Sequence, residues 1–246
     1  MSSAATWPIF MAKLKTREEV AEGTMAFHFE KPVGWTFKAG QFIDMTLLDP
    51  PETDSEGNTR GFSIASAPQE ENLMVATRMR DTAFKRVLKT MPLETAVKIE
   101  GPFGNLTLHN NAARPAVMLA GGIGITPFRS ILFRAAKEQL LNRIFLFYSN
   151  RRPEDAPFLD ELQALEKENP NYKLIATMTG MEKSKQPWHG ETGLINKEML
   201  ARYLHDAVSP IYYIAGPAGR VKGLHTMLNE AGVDDDDIRT EEFVGY

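Results

Sequence analysis

The sequence predicts two unlike halves: an antiparallel all-β half, a sandwich or barrel, followed by an α/β half on a parallel sheet. Three observations predict it. Up to about residue 110, apolar and polar side chains alternate over short runs punctuated by glycine or proline. After Pro115, apolar runs take turns with helix-length stretches, which is the rhythm of strand–helix–strand units. The first of those runs, Ala116 to Ala120, stops at the turn Gly121-Gly122-Ile123-Gly124-Ile125-Thr126-Pro127.

In the first half, strands are expected at Met25–Phe29, Ile43–Leu47, Leu73–Thr77 and Ala96–Glu100. Gly23, Pro32, Gly40, Pro68 and Gly101 separate them. One helix is expected at Ala83–Thr90, and the polar run Asp49–Thr59 reads as an exposed loop. In the second half, strands are expected at Ala116–Ala120, Ile144–Tyr148, Leu174–Thr177 and Ile211–Ala215, with a short last one at Arg239–Phe243. Helices fall between them at Pro127–Gln139, Phe158–Lys167, Lys197–His205 and Ala218–Ala231. The acidic run Asp234–Asp237 reads as a solvated turn, because no calcium-loop spacing surrounds it.

Composition narrows the function. The chain has 246 residues, a formal net charge of −4 and 43% hydrophobic residues, so a large soluble core is expected and nothing global points to nucleic acid. It has no cysteine, which excludes disulfides, a thiol nucleophile and a cysteine-ligated iron–sulfur cluster on this chain. No metal spacing joins its five histidines, and no metal site is expected. No apolar run approaches the ~20 residues of a membrane span. The start lacks the pattern of a signal peptide, so a cytoplasmic setting is expected.

The glycine turn is the strongest local signal. Gly121, Gly122 and Gly124 let backbone amides approach a ligand, Thr126 can cap the helix and Pro127 suits its first position. Amides at a helix start with the helix dipole attract phosphate. No lysine follows as in a Walker loop, and Pro127 stands where a third glycine of the dinucleotide fingerprint would be. A plain strand-to-helix turn would also use glycine. Gly61-Phe62-Ser63-Ile64-Ala65 imitates a nucleophile elbow. The elbow needs an apolar strand before it and a helix after it, and neither context is present.

Four segments in order, Arg60-Gly61-Phe62-Ser63, Gly101-Pro102-Phe103-Gly104, the glycine turn and Ala215-Gly216-Pro217, resemble the ferredoxin–NADP reductase family of flavoproteins. The resemblance covers nearly the whole chain. It implies an FAD-binding antiparallel Greek-key β-barrel over residues 1–112 and an NAD(P)-binding parallel-sheet α/β domain over 113–246. In the family's terms Arg60 pairs with the flavin pyrophosphate, Phe62 packs against the isoalloxazine, Ser63 hydrogen-bonds flavin nitrogen 5, and Gly61 belongs to the same flavin-binding motif. Phe62 stands where the family has tyrosine. The family's Gly-x-x-Ser helix start is here Thr82-Ala83-Phe84-Lys85: Thr82 can cap, and Lys85 either touches the flavin phosphates or lies on a solvated face. Arg78 ends the preceding strand, where backbone would meet FAD.

At the end of the second strand of the α/β half, Ser149-Asn150-Arg151 replaces the acidic residue that favours NAD, so NADP is favoured over NAD through Ser149 and Arg151. Ala215, before Gly216 and Pro217, replaces the family's cysteine, which lies near the nicotinamide. Tyr246, or Phe243, is the closing aromatic that would stack on the flavin. Ser63 and Tyr246 are thus the expected reaction-centre residues. The expected acceptor is ferredoxin, flavodoxin, a cytochrome, an oxygenase component or a small molecule. Lys85, Arg86 and Lys89 are candidates to face an acidic partner. The alternative is a non-catalytic, flavin-bearing regulatory or electron-transfer subunit.

Overall fold

The computed structural model describes residues 8–243. Six strands build the first half: β1 (Ile9–Ala21), β2 (Thr24–Glu30), β3 (Phe42–Leu47), β4 (Thr59–Ser63), β5 (Asn72–Arg78) and β6 (Ala96–Phe103). They pair antiparallel in the order β4-β3-β6-β1-β2-β5. The two edges meet through a bridge between Ile64 and Val75, which closes the sheet into a barrel. Inward residues of alternating strands, Leu14, Phe27, Phe29, Ile43, Met45, Val75, Val97 and Ile99, fill it. Helix α1 (Ala83–Thr90) follows β5 and puts Phe84, Val87 and Leu88 into the same core.

Sequence alternation missed β1. Only Ala12 and Leu14 along it are fully buried, and Lys13, Lys15, Arg17, Glu18 and Glu19 dominate its composition. Its 13 residues pair first with β6 and then with β2, with a register shift between Leu14 and Thr16. Pairing on both sides therefore makes this strand, more than an apolar face does.

The second half is a six-stranded parallel sheet in the order β10-β9-β8-β7-β11-β12. Its strands are β7 (Ala116–Gly121), β8 (Ile144–Asn150), β9 (Tyr172–Met178), β10 (Glu191–Thr192), β11 (Ile211–Pro217) and β12 (Ile238–Phe243). Helices α2 (Thr126–Lys137), α3 (Leu159–Glu168), α4 (Lys197–Tyr203) and α5 (Ala218–Glu230) connect them. β7, β8 and β11 are buried on both faces, as a covered parallel sheet requires. Strand order reverses at β7, so ligand space opens where β7 ends. The acidic run is a short exposed 3-10 turn, Asp235–Asp237, with the Asp234 side chain accepting from the Asp236 amide.

The halves share apolar core: Ala26, Ala39, Ala65, Met74 and Ala76 of the barrel pack with Phe128, Ile131 and Leu132 of α2. Arg129 of α2 pins the contact. Its guanidinium reaches Glu70 (2.9 Å) and the Ala65 carbonyl (2.9 Å) in the barrel and Glu161 of α3 (2.7 Å), stacked 4.2 Å from the Phe133 ring. Ser130 Oγ donates to the Ser66 carbonyl across the same contact (2.7 Å). Among the described residues, no helix is long and apolar enough to cross a membrane.

Candidate active site between barrel and parallel sheet

Strand β4 carries Arg60, Gly61, Phe62 and Ser63. Alternation turns Phe62 into the barrel core, where its ring lies 5.8 Å from that of Phe84, so Phe62 is a packing residue in this structure. Arg60 lies over the Phe84 ring and is engaged by the preceding loop. It meets Asp54 (3.3 Å) and Glu56 (2.9 Å) and donates to the carbonyls of Glu56, Gly57 and Thr59.

Asp54 also accepts from the Ala83 amide at the start of α1 (3.1 Å). Partial desolvation opposes its ionisation, but the Glu56 and Ala83 amides and Arg60 hold its carboxyl below the ordinary value. Arg60 and the α1 N-terminus, expected to share a phosphate, thus converge on an anion, here a carboxylate of the chain itself. Nothing in the local pattern marked Asp54 beyond its place in a polar loop.

Thr82 caps α1 as expected, accepting from the Lys85 amide (3.4 Å). The solvated-face alternative for Lys85 is overturned. Its side chain is buried and donates to the Arg78 carbonyl (2.9 Å), because residue 85 falls on the inward side of the first turn. Burial, then the charges of Arg80 and Arg60, push its amine down to about 8. Arg78 itself stays exposed at the end of β5. The expected basic face is also corrected. Lys85 turns inward and Arg86 is paired with Glu52 (2.5 Å) and Asp81, while Lys89 remains exposed.

Ser63 points to the other half. Its Oγ donates to Glu241 Oε1 at 2.7 Å, although the two lie 178 residues apart. Glu241 is on β12, level with Ala215 of β11. Burial raises the Glu241 pKa, and the Ser63 hydrogen bond works against that rise. A side chain at Gly104 would approach Glu241 Oε2 to 3.6 Å, and one at Gly124 would overlap the Ala215 carbonyl. All four sequence segments therefore meet at this seam. Glu241 is the site residue that sequence reasoning missed. Its signal was a carboxylate on a short last strand, which gains meaning only once β12 is paired with the Ala215 strand. Phe243 sits half-buried at the end of β12, level with Pro217. Tyr246 lies outside the described residues.

On the nucleotide side, β7 runs into a 3-10 turn, Gly122–Ile125, that leads directly into α2. Gly122 has φ +55°, a conformation glycine adopts without strain. This corrects the expected cap. The helical run opens at Gly122, one turn before Thr126, and the Thr126 hydroxyl donates back to the Ile123 carbonyl (3.1 Å). Thr126 and Pro127 therefore stabilise the turn from within the helix.

Ser149 is buried on β8 beside Gly121, and Arg151 is exposed just past the strand. Arg152 is committed to Asp155 (2.7 Å) and to Glu22 of the barrel (2.8 Å). Gly216, at φ +143°, and Pro217 turn β11 into α5. Arg220 of α5, not expected from sequence, lays its guanidinium against Gly121.

Residues 118–225 match the oxidoreductase NAD-binding domain. The chain is 26% identical over 89% of its length to the glycine betaine monooxygenase reductase subunit of Chromohalobacter salexigens, covering 60% of that protein. It is 25% identical over 95% of its length to terephthalate 1,2-dioxygenase reductase component 2 of a Comamonas species, covering 68% of it. The chain thus spans only about two thirds of the length of these relatives.

In fold it is similar to a ferredoxin NADP+ reductase from Neisseria gonorrhoeae solved with FAD and NADP (TM-score 0.77, 23% identity, 95% of this chain and 98% of that one). It is also similar to a cytochrome P450 reductase from Amycolatopsis (TM-score 0.79, 17% identity, 97% and 71%). With an antiparallel barrel followed by a parallel sheet that matches the oxidoreductase NAD-binding domain, the chain has the fold of the ferredoxin–NADP reductase-like flavoprotein reductases.

Proposed function

We propose that this chain is a flavin-dependent NAD(P)H oxidoreductase that takes electrons from NADPH, or NADH, and passes them through FAD to a separate acceptor. The observation that carries the reading is the Ser63–Glu241 pair. It joins the barrel to the strand beside Ala215 at the place where the four sequence segments meet. The barrel residues fit a flavin with phosphates, because Arg60 and the Ala83 amide at the start of α1 already converge on an anion. The α/β residues fit a dinucleotide, because the glycine turn lies where the strand order reverses.

Bound FAD supplies a two-electron acceptor that can release electrons singly or as a pair. The chain's own residues position and balance charge. Ser63 presents a hydroxyl donor at the seam. Glu241, its pKa raised by burial, accepts that hydroxyl at Oε1. Gly104 leaves the Phe42 ring its place beside Glu241, and Gly124 lets the glycine turn lie against the Ala215 carbonyl. Ser149 and Arg151 favour the 2′-phosphate of NADP, since no carboxylate ends β8.

The division into residues 1–112 and 113–246 follows the two sheets. The named relatives are reductase components of oxygenases, which supports an acceptor that is a separate redox protein: an oxygenase component, ferredoxin, flavodoxin or cytochrome. A pyridine-nucleotide electron source accords with a cytoplasmic setting.

The test is an anaerobic titration of the purified yellow protein with each nucleotide, followed by release and identification of the flavin. Bleaching with a preference for NADPH and release of FAD are expected. A yellow protein bleached by neither nucleotide would overturn the reductase reading in favour of a flavin-bearing subunit without this activity.

A further inference from the structure

Arg220 stands in the first turn of α5, shortly after Gly216 and Pro217. As a residue it remains open to solvent, but its guanidinium is sunk into the crevice at the end of the parallel sheet. It occupies the space a side chain at Gly121 would need, so glycine at 121 is what lets it lie there. Its hydrogen bond in this position is a long one, 3.4 Å to the Ser149 carbonyl. Among the described residues no carboxylate forms an ion pair with it, and the charged neighbour bearing on it is Arg151, of like sign. Partial burial, the largest influence, and Arg151 disfavour its charge, while Tyr148 favours it. An arginine placed this way lacks an anion.

A second observation at the same edge points to a ligand. Asn150 ends β8 one residue from Ser149 and is 5% exposed, yet neither its Nδ2 nor its Oδ1 completes a hydrogen bond of good geometry, although the carboxamide bears on the Tyr148 hydroxyl. Leaving a buried carboxamide unpaired costs free energy, so such a group in a folded chain needs an explanation. Its neighbour Tyr148 is tied by its hydroxyl to the Gly122 carbonyl (3.2 Å) and the Pro157 carbonyl (3.0 Å). Through Tyr148, the under-bonded amide, the glycine turn and the guanidinium therefore share one corner of the sheet.

We propose that Arg220 is the residue that holds the pyrophosphate of the pyridine dinucleotide on the glycine turn. The proposal rests on the reading of this chain as an NAD(P)H-dependent reductase and adds a charge to a cradle otherwise made of backbone. A planar guanidinium matches a phosphate with two parallel hydrogen bonds, which a lysine ammonium does not. The pyrophosphate is common to NADH and NADPH. Arg220 therefore sets affinity for both alike, while Ser149 and Arg151 remain the residues that would read the 2′-phosphate.

The test is a calorimetric titration of wild-type protein and of Arg220→Gln and Arg220→Lys, with adenosine, AMP, ADP-ribose, NADH and NADPH as ligands. Arg220→Gln is expected to weaken ADP-ribose, NADH and NADPH by a similar factor, about tenfold or more for loss of a charge-assisted pair. Adenosine binding should be unchanged and AMP changed less than ADP-ribose. Arg220→Lys should recover part of the loss. Equal ADP-ribose affinity in wild type and Arg220→Gln would overturn the assignment, and so would a loss confined to NADPH, which would place Arg220 on the 2′-phosphate. Failure of the wild-type protein to bind any dinucleotide would instead sink the reductase reading beneath it.

Discussion

The Ser63 hydroxyl and the Glu241 carboxyl form a pair whose protonation depends on their burial. Water is largely excluded around Glu241, which favours its neutral form, while the Ser63 hydrogen bond favours the carboxylate. Removing the hydroxyl therefore raises the Glu241 pKa further. Ser63→Ala is expected to retain flavin and to slow its reduction by NADPH on the order of tenfold, through loss of a positioned donor. The inflection attributable to Glu241 should also move to higher pH in stopped-flow rates across a pH series. An unchanged rate and profile would remove Ser63 from the reaction.

At the scale of elements, the glycine turn works because three strands end together. β7, β8 and β11 are buried on both faces and pair in parallel, so their C-terminal ends are held level. Gly124 then lies against the Ala215 carbonyl with no room for a Cβ. Gly124→Ala is expected to push the turn off β11 at a cost of ~1–3 kcal/mol of overpacking. Dinucleotide affinity should fall about tenfold or more, since each 1.4 kcal/mol is a decade. Calorimetry with ADP-ribose checks it, and wild-type affinity would show that the turn tolerates the shift.

Across the whole molecule, one arginine decides how firmly the halves are joined. Arg129 is nearly enclosed, with its side chain 6% exposed, and binds a carbonyl and a glutamate of the β4–β5 connection and a glutamate of α3. Removing it leaves Glu70 and Glu161, each about a third exposed, without the guanidinium that neutralises both. Arg129→Ala is expected to destabilise the fold by on the order of 3 kcal/mol, because a broken, largely buried charge cluster leaves uncompensated charge. Urea unfolding followed by tryptophan emission measures it. A loss below ~1 kcal/mol, the scale of an exposed pair, would show that water enters the cluster freely.

Residue order alone was enough for the fold class, the helix that interrupts the barrel and every helix of the second half. Those features are written in local periodicity and in glycine and proline punctuation, which act over a few residues. It also singled out the glycine turn and the Ala215-Gly216-Pro217 turn, where special backbone needs leave a visible residue type, and Ser63 through the family resemblance. Strand β1 escaped because partners on both sides, more than its own side chains, hold it. Phe62 turned into the core, Lys85 turned inward, and Asp54 met Arg60, because a strand or helix chooses its faces only when it has neighbours to pack on. Packing in three dimensions was needed to bring Glu241 to Ser63 and to lay Arg220 on Gly121, because the energy of a contact depends on distance in space, which the folded chain sets.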